Sequence, residues 1–282
     1  MLQLGGDAPA EARDAATVIL LRARASGFHV YLLRRHTKSG FMGGAHVFPG
    51  GKVDLEDGST EAWSATHGLS TEQAKQRLGE PLPDAAARAF FLAAARETFE
   101  EAGVLLGSAR PPTDALRTRL NAGERFDALL AEAQLTVELG GLWPLSRWIT
   151  PTAERRRYDT RFFLAQVPRE QGATPDLVET TTGVWLTPAE ALAASFRGEI
   201  VLPPPTLRTL ECLSRFERAE DAFTDAKSRP PPVIAPEIRV VEGVLQIVLP
   251  GDAEHGVSER RIEGSTRIAC VDGRWTSLTT DS

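Results

Sequence analysis

A helix that ends in clustered carboxylates is the feature that most constrains this chain. The alanine-rich run of residues 85–95 favours a helix. Asp84 is a suitable N-cap residue, and Gly103 is a suitable residue to end the helix in the left-handed conformation. Three glutamates lie three or four residues apart near its C-terminal end and therefore share one side: Glu97, Glu100 and Glu101.

Carboxylates at this position need a source of positive charge. The helix dipole disfavours a negative charge at the C-terminus by about 0.3–1 kcal/mol per group, and no Lys or Arg follows within the next turn. One interpretation is a solvated acidic stripe. The other is a divalent-cation site, because clustered carboxylate oxygens are ligands that Mg²⁺ and Mn²⁺ prefer.

A second segment, residues 48–57, places two glycines after a proline, so that backbone can approach a ligand closely. Together with residues 96–104 it resembles the Nudix box. Gly51 stands at the position of the box glycine, Asp57 replaces its first glutamate, and Thr98 occupies a position that is usually apolar. Residues 58–95 stand where the box has seven residues, an excess of 31.

This interruption indicates a subgroup. Residues 40–51, 155–164, 199–205 and 249–252 resemble the Nudix hydrolases that cleave coenzyme A and carry such an insertion. One position departs from the coenzyme A motif, because Gly40 stands where that motif has an arginine.

The resemblance implies an α+β Nudix fold, a mixed β-sheet between helices. We expect a Nudix domain over residues 12–200, with a helical insertion at 58–84 that leaves the glutamate helix intact. Residues 201–282 are expected to form a C-terminal helix plus a β-hairpin extension, which would serve assembly or substrate reach.

The resemblance also implies roles for individual residues. Glu97, Glu100, Glu101 and the carbonyl of Gly51 would bind Mg²⁺ or Mn²⁺. The general base would be Glu97 or Glu179, and Arg96 would orient carboxylates of the glycine loop, Asp54 or Asp57. Substrate binding is assigned to five residues: Phe48, Gly50, Arg155, Arg156 and Arg157. The sequence leaves open whether the three arginines form an anion-binding site or a solvated turn.

Local patterns predict several further elements. Residues 16–22 and 28–33 are predicted to form a hairpin, and residues 104–106 a short strand. A helix is predicted over residues 207–218, after three prolines. Two hairpins with glycine turns are predicted beyond residue 232.

Composition excludes several classes of protein. The net charge of −6 disfavours general nucleic-acid binding. Cys212 and Cys270 are far apart, which suits a reducing compartment better than a disulfide framework. No apolar run reaches the roughly 20 residues of a membrane helix. The start does not have the pattern of a signal peptide, and the end is not a peroxisomal tripeptide, so we predict a cytoplasmic location. The expected partner is a small nucleotide substrate. A homodimer is one assembly that the sequence leaves open.

Three functions remain open on the sequence. The first is hydrolysis of coenzyme A or acyl-CoA to 3′,5′-ADP and (acyl-)4′-phosphopantetheine. The second is a Nudix pyrophosphatase of NADH or ADP-ribose, and the third is a non-catalytic Nudix-fold nucleotide sensor. The presence of all three helix glutamates argues against the third, because a protein that only binds nucleotides does not need them.

Overall fold

A mixed β-sheet forms the centre of the structure. The computed structural model describes residues 10–37, 43–108 and 111–278, so Gly40 of the predicted motif lies outside it. The strands of this sheet are β1 (Arg13–Ala23), β2 (Phe28–Arg35), β3 (His46–Val47), β4 (Gly50–Lys52), β7 (Trp143–Ile149), β8 (Tyr158–Gln166), β9 (Thr180–Leu186) and β10 (Val233–Ile234). Their order is β10-β7-β8-β1-β2-β3, with β4 paired to β1 and β9 paired to β2. The predicted hairpin of β1 and β2 is confirmed.

Both faces of the sheet are covered. Along β1, Val18 and Leu20 belong to one buried cluster, whereas Ile19 and Leu21 belong to a second. This alternation follows from the two-residue period of a strand. A strand buried on both faces needs a continuous apolar sequence, which explains why β1 does not alternate between apolar and polar residues.

Helices pack on the two faces of the sheet. They are the 3₁₀ helix η1 (Leu55–Gly58) and the α-helices α1 (Thr60–Ser64), α2 (Thr71–Leu78), α3 (Asp84–Ala102), α4 (Asp114–Asn121), α5 (Phe126–Glu132), α6 (Pro188–Phe196), α7 (Pro204–Leu213) and α8 (Ala219–Ser228). A mixed sheet between helices is the predicted α+β Nudix fold, which is thereby confirmed.

The insertion forms a helical segment on α3, and α3 itself runs without a break. The helix begins at Asp84 with Pro83 as its N-cap residue, one residue earlier than predicted, because Asp84 was expected to be the N-cap itself; Gly103 ends it with φ 68° as predicted. The insertion is anchored to the sheet at its far end, where Glu80 accepts hydrogen bonds from Arg147 and Arg161 at 2.7 and 2.9 Å. The two halves of the interrupted motif can therefore meet.

The predicted strand at residues 104–106 is wrong. This segment is buried but pairs with no strand, and the side chain of Gln171 takes the place of a neighbouring strand. Its amide accepts from Leu105 N–H at 2.8 Å and donates to the carbonyls of Leu105 and Ser108 at 2.8 and 2.9 Å. Because this partner is a side chain 66 residues away, the sequence of residues 104–106 alone does not predict the contact.

The helix predicted over residues 207–218 is also different in the structure. The helix there, α7, begins at Pro204 and ends at Leu213, so it starts three residues earlier and ends five residues earlier than predicted, and a separate helix, α8, begins at Ala219. Prolines are tolerated in the first turn of a helix, where their missing N–H has no intrahelical acceptor. After α8 the chain forms β10, an unpredicted strand that pairs in parallel with β7.

The two predicted C-terminal hairpins are confirmed and join into one antiparallel sheet. Its strands are β11 (Glu237–Val241), β12 (Val244–Val248), β13 (Arg267–Val271) and β14 (Arg274–Leu278). Ile247, Leu249 and Ile268 pack into the second buried cluster with residues of the main sheet. A two-stranded pair, β5 (Thr66–His67) and β6 (Val137–Glu138), completes the described strands. No described helix combines the length and hydropathy required to cross a bilayer.

Candidate active site

The glycine loop and the end of α3 are packed directly against each other. Gly50 N–H donates a hydrogen bond to Glu101 Oε2 at 2.9 Å. A Cβ atom on Gly51 would lie 2.5 Å from the carboxylate of Glu97, and one on Gly50 would lie 2.4 Å from the carbonyl oxygen of Ala16. A side chain at Gly50 would collide with the backbone of β1, and a side chain at Gly51 would displace the carboxylate of Glu97, so glycine at both positions permits the close approach.

Arg96 joins the two halves of the motif. Its Nε and Nη2 donate to Asp57 Oδ1 and Oδ2 at 3.0 and 2.9 Å, and Nη2 also donates to the carbonyl of Lys52 at 2.9 Å. Its Nη1 donates to Glu97 and Glu100 at 2.8 and 3.0 Å. The expectation that no basic side chain offsets the negative charge of the helix glutamates is therefore wrong for Glu97 and Glu100, which both contact Arg96.

One arginine does not offset the burial of three carboxylates. Burial raises the pKa of Glu97 to about 7, although Arg96 opposes the shift. Burial also raises the pKa of Glu100. The pKa of Glu101 lies well above its ordinary value because the group is buried, and the Gly50 N–H only partly opposes this effect. Each raised pKa means that the charged carboxylate lacks favourable interactions in its present environment.

This donor set fits a divalent cation. The carboxylate oxygens and the carbonyl oxygens of the glycine loop are donors of the kind that divalent cations bind, and a cation would supply the missing positive charge. Within residues 10–37, 43–108 and 111–278, no group of three or more His, Cys, Asp or Glu side chains is already arranged as a metal site. Glu97 and Glu100 instead contact Arg96.

A cleft of about 490 Å³ opens beside these groups, and we call it the carboxylate cleft. It brings together two predicted catalytic residues, because both Glu97 and Glu179 line it. Glu179 lies in an exposed loop before β9, and its N–H donates to Asp176 Oδ2 at 3.0 Å.

The three consecutive arginines have different environments. Arg156 is exposed and lines the carboxylate cleft. Arg157 donates to the carbonyls of Thr150 and Ala10 at 3.1 and 2.7 Å, so its guanidinium holds the chain between β7 and β8. Arg155 is exposed and is not among the residues that line the cleft.

A second cavity of about 190 Å³ adjoins the cleft, and we call it the apolar chamber. Two predicted substrate-binding residues, Phe48 and Gly50, line it. Its wall also contains residues that the sequence analysis missed as site residues, namely Arg35, Trp148, Glu154, Phe162, Pro203 and Ile247. They come from separate segments of the chain; Phe162 and Pro203 lie in segments that carried the resemblance, whereas the other four had no sequence signal.

Known proteins resemble this chain in sequence and in structure. The family model described as the NUDT19 Nudix domain matches residues 64–213. The human acyl-coenzyme A diphosphatase NUDT19 is 34% identical over 238 residues, which cover 70% of this chain and 63% of the human protein. Its chicken counterpart is 31% identical over 275 residues, covering 77% of this chain and 72% of the chicken protein. The crystal structure of a Nudix hydrolase from Alicyclobacillus acidocaldarius has a TM-score of 0.65 and 28% identity, covering 76% of this chain and 96% of that one.

Removal of Arg96 should destabilise the metal-free protein. We expect Arg96→Met to lower the free energy of unfolding by roughly 3–5 kcal/mol, because Asp57, only 5% exposed, would lose its ion pair. The measurement is urea unfolding in the presence of a chelator. Arg88→Met is the matched control on the same helix, where one hydrogen bond to Gly58 O is lost. Equal losses in both variants would contradict a special role for Arg96.

Protonation of His46 should weaken the fold in acid. Its side chain is buried on β3, and burial lowers its pKa from 6.5 to about 4, with a further contribution from Arg34. The unfolded chain therefore binds a proton between pH 6.5 and 4 that the folded chain does not bind, so stability falls as pH decreases through this range. Thermal melting at intervals from pH 7.5 to 4.5 should show a smaller decrease for His46→Leu than for the wild type. The exposed His67, changed to Leu, is the control and should follow the wild type.

Proposed function

Because this chain belongs to the NUDT19 Nudix domain family of Nudix hydrolases, we propose that it hydrolyses the diphosphate bond of coenzyme A or an acyl-CoA. The products would be 3′,5′-ADP and (acyl-)4′-phosphopantetheine. The chain spans 63% of the length of its human relative. The observation that carries the proposal is the packing of the end of α3 against the glycine loop, where Glu101 accepts the Gly50 N–H and Glu97 lines an open cleft together with Gly50 and Gly51.

The chemistry requires positive charge beside the diphosphate. We propose that Glu97, Glu100, Glu101 and the carbonyl of Gly51 bind Mg²⁺ or Mn²⁺. Such a cation neutralises phosphate charge and lowers the pKa of a bound water. Arg96 keeps Glu97 and Glu100 in place through Nη1 and ties them to the glycine loop through Asp57.

Water attacks one phosphorus of the diphosphate, the bond from that phosphorus to the bridging oxygen breaks, and the second phosphate leaves. A carboxylate must accept the proton of the attacking water. We propose Glu97 or Glu179 for this role, since both line the carboxylate cleft. Arg156 lines the same cleft and would contact the phosphates of the substrate.

Other expectations accompany this proposal. We propose a small nucleotide as the substrate, with no role in binding nucleic acid or membranes, and a cytoplasmic location. A homodimer stays a prediction. Hydrolysis of NADH or ADP-ribose is the alternative activity, and nucleotide binding without turnover is the second alternative.

A substrate panel tests the proposed activity. Coenzyme A, an acyl-CoA, NADH and ADP-ribose should be incubated with Mg²⁺ or Mn²⁺, and the products identified by mass. We expect 3′,5′-ADP from coenzyme A, and no turnover in excess chelator. Preference for NADH or ADP-ribose would favour the alternative enzyme, and full turnover in chelator would contradict the metal assignment.

Replacement of Glu101 separates catalysis from stability. In Glu101→Gln the side-chain oxygen can still accept the Gly50 N–H, and one buried negative charge is removed, so the metal-free melting temperature should stay equal or rise. The rate should fall by an amount equivalent to roughly 3–5 kcal/mol of barrier, because a hard anionic metal ligand is lost. The measurements are melting in chelator and turnover at saturating Mn²⁺. Glu56→Gln, at an exposed position of η1, is the control. A near wild-type rate in Glu101→Gln would contradict a catalytic role for this carboxylate.

A further inference from the structure

The apolar chamber and the carboxylate cleft are parts of one continuous surface. Five residues line both of them: Thr17, Arg35, Gly50, Tyr158 and Thr160. The two cavities therefore adjoin, and a ligand whose diphosphate lies beside Glu97 has the chamber next to it. The chamber is thus positioned to bind one of the two ends of a diphosphate-linked substrate.

The wall of the chamber is mainly apolar. Aromatic side chains of Phe48, Trp148 and Phe162 line it, together with the prolines of residues 203–205 and Ile247 of the C-terminal sheet. Aromatic and aliphatic walls that also carry hydroxyl groups, such as those of Thr150 and Thr206, are suited to an uncharged chain with amide and hydroxyl groups along an apolar skeleton. The C-terminal sheet thereby contributes to the substrate site rather than to the diphosphate chemistry.

Charge distinguishes the two ends of the substrate. Among the residues that line the chamber, the basic group is Arg35 and the acidic group is Glu154, which is 2% exposed. Because Arg35 also lines the cleft, a phosphate farther inside the chamber would have no basic side chain of the described wall beside it. The carboxylate cleft contains Lys52 and Arg156 in addition to Arg35; its acidic side chains, Asp54, Glu97 and Glu179, lie where the proposed cation would add positive charge. The 3′-phosphate of coenzyme A is therefore favoured in the cleft, and the phosphate-free end is favoured in the chamber.

Arg35 lies at the junction of the two cavities. The pairing of β2 with β9 is irregular between Arg34 and Arg35, and such a bulge changes the direction of a side chain relative to a regular strand. The backbone is fixed on both sides, since Arg35 N–H donates to Ala45 O at 2.9 Å and Arg35 O accepts from Gly44 N–H at 3.1 Å. Its Nε has no hydrogen-bond partner among the residues that the structure describes. A guanidinium held at this point can bind a phosphate at the mouth of the chamber.

We propose that the apolar chamber binds the pantetheine arm of the substrate, and that Arg35 binds the adjacent phosphate. This assignment rests on the proposed diphosphatase function and specifies which half of the substrate each cavity receives. Val47 on β3 and Ile247 on β12 then limit the length and width of the arm that fits. The 3′-phospho-ADP half lies along the carboxylate cleft towards Arg156.

Calorimetric titration tests the chamber without requiring turnover. The probes are pantetheine, 4′-phosphopantetheine and 3′,5′-ADP, each titrated into the full chain. Val47 is half-buried in the chamber wall, so Val47→Phe should narrow the chamber. The variant should bind pantetheine about tenfold or more weakly and bind 3′,5′-ADP with unchanged affinity. Val240→Phe, at an exposed position of the C-terminal sheet, is the control and should change neither. If Val47→Phe does not fold by thermal melting, Val47→Met provides a more flexible extension for the same titration.

Arg35→Gln tests the junction. It should weaken 4′-phosphopantetheine about tenfold or more and leave pantetheine unchanged, because only the former carries the phosphate. Arg34→Gln, at the exposed neighbouring position, is the control. Unchanged pantetheine binding in a folded Val47→Phe protein, or weakened 3′,5′-ADP binding instead, would overturn the assignment. Failure of the wild type to hydrolyse coenzyme A would reject the proposed function, whereas absence of pantetheine binding to the wild type would reject the chamber.

Discussion

The contact between Arg96 and Asp57 is the constraint on which the site depends. The chain separates these residues by 39 positions, and the bidentate ion pair brings the glycine loop back onto the end of α3. The same guanidinium holds Glu97 and Glu100 through Nη1. Because a planar guanidinium offers several donors in fixed directions, one side chain can orient three carboxylates, which a lysine could not do.

The carboxylate cluster is held in an environment that disfavours its own charge. Burial raises the pKa of Glu97 to about 7 and raises that of Glu101. The loop can approach so closely because Gly50 and Gly51 have no side chains. The proposed cation would supply the positive charge that these buried carboxylates lack, and the same burial explains why removal of one carboxylate charge should not harm the fold.

The insertion shows what a local pattern can and cannot predict. The predicted helical insertion and the unbroken α3 are confirmed, because features such as the capping box of Ser70 and Gln73 and the left-handed Gly79 depend on neighbouring residues. The anchoring of Glu80 to Arg147 and Arg161 was not readable, since the partners are 67 and 81 residues away. The false strand at residues 104–106 has the same origin, because its partner is the side chain of Gln171.

The sequence by itself determined the elements that depend on short-range order and on motif spacing. These include the β1–β2 hairpin, α3 with its C-terminal Gly103, the two C-terminal hairpins and the candidate residues Glu97, Glu100, Glu101 and Arg96. Only the tertiary structure decided which side chains line the same cavity. It placed Arg35, Glu154 and Ile247 around one chamber, and it gave Arg156 and Arg157 different environments. Such proximity arises from packing between segments that are distant in the sequence, so local sequence patterns do not predict it.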